Sequence, residues 1–165
     1  MLLFLAFVFS LFLLACSNQI KPDEKIEISV NNKKVESYIF NGVTTIPLEG
    51  VCNILGYHNR KYNQGASSKK IFVSSKNNYI YFYPDKDYYS VRDNNLEGKL
   101  QQNEAENHSN QEIEKSYNKK KFENGFKAIH YGGYLYVPID IVDKESGLEM
   151  KVQYLDNGYR IGEYN

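Results

Sequence analysis

The chain has 165 residues, and its 20 basic and 20 acidic side chains balance to a net charge of zero. That balance removes the electrostatic argument for nucleic acid as a partner or for an anionic membrane surface as a ligand. The 15 Tyr and 9 Phe, with no Trp, favour sheet and turns over a helical bundle. Only Cys52 follows Cys16, so a chain that begins at Cys16 with its thiol modified could form no internal disulfide.

The N-terminus has the pattern of a secretory signal. Residues 1–15 are apolar except for Ser10 and carry no charge, a run shorter than the roughly 20 residues of a membrane-spanning helix. Leu13-Leu14-Ala15-Cys16 resembles a bacterial lipobox, which implies lipidation (palmitate) at Cys16 and an extracytoplasmic protein anchored to the cell membrane. The alternatives are an ordinary signal peptide with an incidental Cys, or a short anchor helix. No Lys or Arg precedes the apolar core, although signal peptides normally begin with one.

Residues 16–25 are predicted to be a polar tether, followed by a strand in which Ile26, Ile28 and Val30 alternate. Two turns are predicted next, at Asn31-Asn32 and at Asn41-Gly42.

A short helix is predicted to begin at Pro47, because the missing N–H of a proline needs no partner in the first helical turn. Its apolar residues have one-face helical spacing, and Gly56 is suited to end it in the left-handed conformation. The predicted buried face consists of Leu48, Val51, Cys52 and Leu55.

Antiparallel strands are predicted around Ile71 and Val73 and through Tyr79–Tyr83. Residues 94–121 are almost entirely polar, which predicts a flexible or weakly helical insertion that ends in a solvated lysine run, Lys119–Lys121.

After the insertion, the sheet pattern resumes with a predicted turn at Gly132-Gly133. A shorter helix with Ile139 and Val142 three residues apart is predicted to end near Gly147, and a final hairpin is predicted to turn at Asn157-Gly158.

One phrase occurs twice: strand, Pro, short helix, Gly, then a hairpin. Thr45-Ile46-Pro47-Leu48 matches Tyr136-Val137-Pro138-Ile139, and this order resembles the N-terminal, stalk-like domain of copper amine oxidases. The resemblance implies one α+β domain over residues 26–165, with an antiparallel sheet wrapped around short helices and two related halves. Tyr62 and Tyr154 stand where the family has Trp, which implies that both rings are buried.

The resemblance does not imply copper here, because in the oxidases the copper and the Tyr-derived cofactor belong to a different, larger domain. We expect no metal and no cofactor, since His58, His108 and His130 are scattered along the chain. No hydrolase, zinc-protease or nucleotide-binding motif occurs in the sequence. Cys52 is expected to be a buried, unreactive thiol rather than a nucleophile.

Tyrosines supply the one candidate binding surface that the sequence indicates. An exposed strip of this kind could stack on sugar rings or anchor a protein partner, while the alternative is an ordinary amphipathic sheet surface. The candidate residues are Tyr79, Tyr81, Tyr83, Tyr88 and Tyr89.

The sequence therefore predicts a non-catalytic, lipid-anchored surface protein that binds cell-envelope material, such as a cell-wall glycan, or a protein partner. The alternatives are a structural spacer or inhibitor-like module and, third, an envelope enzyme built around His130 with Asp140 or Glu145.

Overall fold

The computed structural model describes residues 20–64, 68–75, 77–93, 117–142, 148–156 and 158–163. These ranges contain strands, one α-helix and two 3₁₀ helices, at Glu123–Gly125 and Ile139–Val142. In chain order the elements are β1 Glu24–Val30, β2 Lys33–Phe40, β3 Val43–Pro47, α1 Leu48–Leu55, β4 His58–Gln64, β5 Ser68–Ser74, β6 Asn78–Phe82, β7 Tyr88–Asp93, β8 Asn118–Lys121, β9 Ile129–Tyr131, β10 Tyr134–Pro138, β11 Met150–Leu155 and β12 Gly158–Glu163.

The strands form two sheets. A seven-stranded sheet has the order β11-β12-β1-β2-β3-β10-β9, and a five-stranded sheet has the order β4-β5-β6-β7-β8. Among the described strands, every pairing is antiparallel except that of β1 with β12, where Ile28 lies opposite Tyr159 in parallel register. The prediction of a sheet-rich α+β fold is confirmed at this level, but the strands divide between two sheets and one pair is parallel.

Three of the predicted turns are two-residue hairpin loops, as expected. Asn31-Asn32, Asn41-Gly42 and Gly132-Gly133 all have positive φ at both positions, the conformation that matches the twist of the flanking strands. The fourth turn is displaced by one residue: Leu155 pairs with Gly158, so Gly158 begins β12 instead of completing the turn.

The helix forms where it was predicted, with one difference at its start. Pro47 has an extended ψ of 96° and pairs with Tyr136 of β10, so it is the last residue of β3 and the helix begins at Leu48. Gly56 ends the helix with φ 77°, as predicted, and the Tyr57 N–H donates to Cys52 O at 2.9 Å.

The predicted apolar face of α1 is buried, and it belongs to a core that both sheets share. Burying each such aliphatic side chain contributes about 1.5–3 kcal/mol. The largest fully buried side chains are those of Phe40, Phe82, Ile28, Ile46, Leu48, Ile71, Ile80, Leu135, Leu148, Met150, Ile161 and Val30. Tyr154 was expected in this core, but it is 68% exposed because it lies near the end of β11, the edge strand of the seven-stranded sheet.

The second occurrence of the repeated phrase begins, as the first does, with a strand that ends at its proline. Pro138 ends β10 and is followed by a 3₁₀ helix, Ile139–Val142, and residues 143–147 lie outside the described ranges. Gly147, the predicted end of this helix, is among them.

The polar insertion ends earlier than its composition indicated. Asn118–Lys121 forms β8, an exposed edge strand that pairs with β7. An edge strand needs only backbone hydrogen bonds on one side, so a lysine run can occupy it with every side chain in solvent. Residues 94–116 of the predicted insertion lie outside the described ranges.

Candidate functional site

A cleft of about 620 Å³ opens between β2, the β9–β10 hairpin and the start of α1. Its volume lies within the range of about 300–1,000 Å³ that is typical of small-molecule sites. The lining combines four tyrosines and one carboxylate with small or apolar residues: Val35, Glu36, Tyr38, Pro47, Gly50, Tyr131, Gly132, Tyr134 and Tyr136.

The tyrosines of the cleft are positioned by strand geometry. Gly132-Gly133 forms the turn, so Tyr131 and Tyr134 lie directly opposite each other in the antiparallel pair. Tyr134 and Tyr136 are two residues apart on β10 and therefore project from the same face. Tyr38 comes from β2, and its ring centroid lies 5.2 Å from that of Tyr131 and 5.5 Å from that of Tyr136.

The rings pack edge to face, which fixes the wall of the cleft. The Tyr38 ring is inclined at 78° to Tyr131 and at 71° to Tyr136, the arrangement that aromatic quadrupoles favour. Phe40 supports them from the core, with ring centroids 5.6 Å from Tyr131 and 5.5 Å from Tyr136. Tyr136 is 4% exposed, whereas Tyr134 is 46% exposed, so the cleft has a buried floor and an open aromatic rim.

Glu36 supplies the carboxylate of the cleft. It accepts a hydrogen bond from the Tyr38 hydroxyl and pairs with the ammonium group of Lys25 on β1. The contacts with Lys25 and Tyr38 lower the pKa of Glu36, and the same hydrogen bond raises the pKa of Tyr38 to about 12. Burial also raises the pKa of Tyr136 above its usual range.

A second carboxylate, Glu49, braces the hairpin that carries the cleft. Its side chain is 5% exposed, its Oε2 accepts the Leu135 N–H at 2.9 Å, and its Oε1 lies 2.9 Å from Lys61 Nζ. Lys61 also donates to Gly133 O at 3.0 Å. The pairing of β3 with β10 ends at Pro47, which lies opposite Tyr136. The Glu49 carboxylate therefore accepts the N–H of Leu135, the residue just beyond this last pair.

The predicted tyrosine strip is placed on the five-stranded sheet, but it is divided between two faces. Tyr79, Tyr81 and Tyr83 are half-buried, and Tyr83 contacts Tyr88 with ring centroids 5.3 Å apart. Tyr89 is only 7% exposed, so it does not belong to an exposed strip.

The division of the strip follows from the alternation of a strand. Tyr88 and Tyr89 are adjacent, so their side chains must project to opposite faces. Tyr89 stacks on Phe82 in the core with ring centroids 5.7 Å apart. On the outer face, Phe72 lies against Tyr81 at 5.2 Å, and Lys70 Nζ lies 4.6 Å from the Tyr81 ring centroid.

Of the residues considered for metal or nucleophilic chemistry, the structure describes His58, His130, Asp140 and Cys52. His58 and His130 are both exposed, and Asp140 is exposed as well. Within the described ranges, no group of three or more His, Cys, Asp or Glu residues could hold a metal ion. His108, Glu145 and the predicted lipidation residue Cys16 lie outside those ranges.

Cys52 is buried, as predicted, at 0% exposure. Burial, with a smaller contribution from the charge of Glu49, raises the pKa of its thiol to about 12. A thiol with such a pKa is almost entirely protonated at neutral pH and therefore unreactive.

The cleft was not predicted from the sequence, and neither were the roles of Glu36, Tyr38 and the buried Glu49. The available signal was the segment from Tyr131 to Tyr136, where one tyrosine precedes a Gly-Gly turn and two alternating tyrosines follow it. Alternation predicts that these rings share a face, but nothing local indicates that Tyr38 joins them.

Comparisons of the chain with protein-family models, with curated proteins and with solved structures found no match. Among the residues that the structure describes, no helix is both long enough and apolar enough to cross a membrane.

Proposed function

We propose that this protein is a non-catalytic, lipid-anchored surface protein that uses the tyrosine-lined cleft to bind cell-envelope material or a partner protein. The observation that supports binding is the cleft itself. It has a preformed aromatic wall, and its rim residue Tyr134 is 46% exposed. Aromatic side chains of this kind supply large contact area at a low cost in conformational entropy.

The proposed anchor rests on the sequence of residues 13–16, in which Cys16 follows two leucines and an alanine. Expression of the full chain in a bacterial host with labelled palmitate tests it. The wild-type protein should carry the label and Cys16→Ser should not, and an unlabelled wild-type protein would contradict lipidation.

The proposed relation to the stalk-like domain of copper amine oxidases rests on the repeated phrase. Strands β3 and β10 pair antiparallel with Ile46 opposite Val137, so one pair of equivalent positions lies face to face and the neighbouring residues pair symmetrically around it. This register is what two halves related by a local two-fold axis would produce. In the proposed arrangement, each half consists of strand, Pro, helix, Gly and hairpin.

The binding proposal is tested by co-sedimentation of the detergent-solubilised full chain with isolated cell-wall and membrane fractions. Tyr134→Ala should weaken retention on the fraction that binds. Tyr154→Ala is the matched control, because it removes an exposed tyrosine from β11, at the opposite edge of the same sheet.

The strip on the five-stranded sheet is the second candidate surface, and Tyr81→Ala tests it in the same assay. Loss of retention in Tyr81→Ala alone would move the proposed site from the cleft to the strip. No retention of the wild type on any fraction, and no partner protein captured, would favour the structural spacer.

A further inference from the structure

We propose that the cleft binds a neutral sugar ring of an uncharged glycan, with the ring face against Tyr134 and the hydroxyl groups directed toward Glu36. This inference rests on the proposed binding function and specifies the class of its ligand.

The charges of the cleft favour a neutral ligand. Among the described residues that line it, Glu36 alone carries a formal charge, and Lys25 pairs with that carboxylate. An anionic ligand would meet a carboxylate with no lining cation to receive it. A cationic ligand would be attracted by the aromatic rings, but at Glu36 it would meet the Lys25 ammonium, which already neutralises the carboxylate and repels a second cation.

The hydrogen-bonding capacity of Glu36 suits hydroxyl groups. An ionised carboxylate offers about four lone-pair positions. Tyr38 contacts Oε1 and Lys25 contacts Oε2, so each oxygen keeps a further position that can accept from a ligand hydroxyl. Because the side chain of Glu36 is 52% exposed in this pair, a ligand at the cleft rim can reach it.

The tyrosine rings supply the apolar contacts with the proposed ligand. A sugar ring has C–H groups on its faces and hydroxyl groups around its edge, so it matches an aromatic face next to a carboxylate. Tyr134, at 46% exposure, has free ring surface at the rim, while Tyr38 and Tyr136 are held edge to face behind it. The phenol groups add polar positions beside the apolar ring surfaces.

Calorimetric titration of the full-length chain in non-ionic detergent tests the proposal with oligosaccharides of matched length. The neutral probes are hexamers of glucose, mannose and N-acetylglucosamine. The charged probes are the deacetylated, cationic glucosamine hexamer and the anionic galacturonate hexamer. At least one neutral hexamer should bind about tenfold more tightly than either charged probe, a difference of about 1.4 kcal/mol.

Substitutions identify the cleft as the site. Tyr134→Ala should weaken binding of the neutral hexamer by about tenfold, the scale of one lost aromatic contact, while Tyr134→Phe should retain most of it. Lys25→Met removes the cationic partner of Glu36, so it should tighten binding of the cationic hexamer. The control Tyr154→Ala should bind as the wild type does.

Tighter binding of a charged hexamer by the wild type would overturn the inference, and so would neutral binding that Tyr134→Ala leaves unchanged. Retention on the cell-wall fraction without binding of any neutral hexamer would also overturn it, while the broader proposed function would stand. Failure in both assays, with no partner protein captured, would overturn the two binding proposals together.

Discussion

Replacing Glu49 should destabilise the fold more than replacing an acidic residue that interacts only with the N-terminus of a short helix. In Glu49→Ala, the N–H of Leu135 loses its acceptor, and Leu135 is 0% exposed. An unsatisfied buried donor costs about 1–3 kcal/mol, and the lost interaction of an acidic residue with the helix N-terminus adds about 0.3–1 kcal/mol. Lys61 contributes little to the loss, because its side chain is 45% exposed and water can solvate the freed ammonium.

These contributions sum to a loss of about 1–4 kcal/mol in the free energy of unfolding for Glu49→Ala. Glu49→Gln should lose only about 1 kcal/mol, because its amide oxygen can still accept from Leu135 while the charge is gone. Urea unfolding followed by circular dichroism measures both values, and an unchanged m-value would confirm that the denatured state is unaffected.

A double-mutant cycle separates the bond to Leu135 from the ion pair. Lys61→Met removes the ammonium contacts with Glu49 and Gly133, and its cost should fall when Glu49 is already alanine, because the two residues interact. A loss below about 0.5 kcal/mol in Glu49→Ala, or equal losses in Glu49→Ala and Glu49→Gln, would refute the assignment of Glu49 as the acceptor for the end of β10.

Four further predictions follow from local geometry. Gly50→Ala should stabilise the protein by about 0.5–1 kcal/mol in urea unfolding, because alanine is the better helix former and its Cβ would meet only Pro47 Cγ and Cβ, at 3.7 and 3.8 Å. Gly133→Ala should cost about 1–2 kcal/mol from its φ of +89° alone, since no atom lies within 4 Å of the added Cβ; an unchanged stability would contradict this. Cys52 should resist iodoacetamide at pH 8 and react once urea unfolds the chain. Its contribution to the free energy of unfolding should be full below about pH 9 and should fall as the pH rises toward about 12, because in that range only the folded state keeps the thiol protonated. Glu36→Gln should move the phenol titration of Tyr38, followed by absorbance at 295 nm, from about 12 toward its usual 10, and a titration curve identical to that of the wild type would refute the hydrogen bond as the cause.

The features predicted correctly from the sequence are those that short segments determine. The turns at Asn31-Asn32 and Gly132-Gly133 need two residues that tolerate positive φ, and the sequence supplies them directly. The helix after Pro47 is determined by one apolar stripe and one terminal glycine, all within ten residues. Its start was misplaced by one residue because Pro47 pairs with Tyr136, a contact with a distant part of the chain.

The cleft could not be predicted because its parts are far apart in the chain. Tyr38 meets Tyr131 and Tyr136 only because β2, β3 and β10 are successive neighbours in the sheet. The prediction that the Tyr154 ring is buried was wrong, because matching this residue to a family tryptophan gave no information about its place on an edge strand. The prediction of an exposed tyrosine strip was wrong at Tyr89 for a local reason: Tyr88 and Tyr89 are adjacent in a strand, and side chains of adjacent strand residues cannot share a face.

The position of β1 between β2 and β12 also bears on the mechanics of an anchored protein. In the proposed lipid-anchored form, tension between the membrane and a bound ligand would enter the domain at Asp23, whose N–H donates to Ile39 O at 2.8 Å immediately before β1. Under the component of that tension that acts along β1, the backbone hydrogen bonds that join β1 to β2 and to β12 would be loaded in shear and together, instead of being opened one after another. A domain attached in this way can hold a ligand under tension without unravelling from its tethered end.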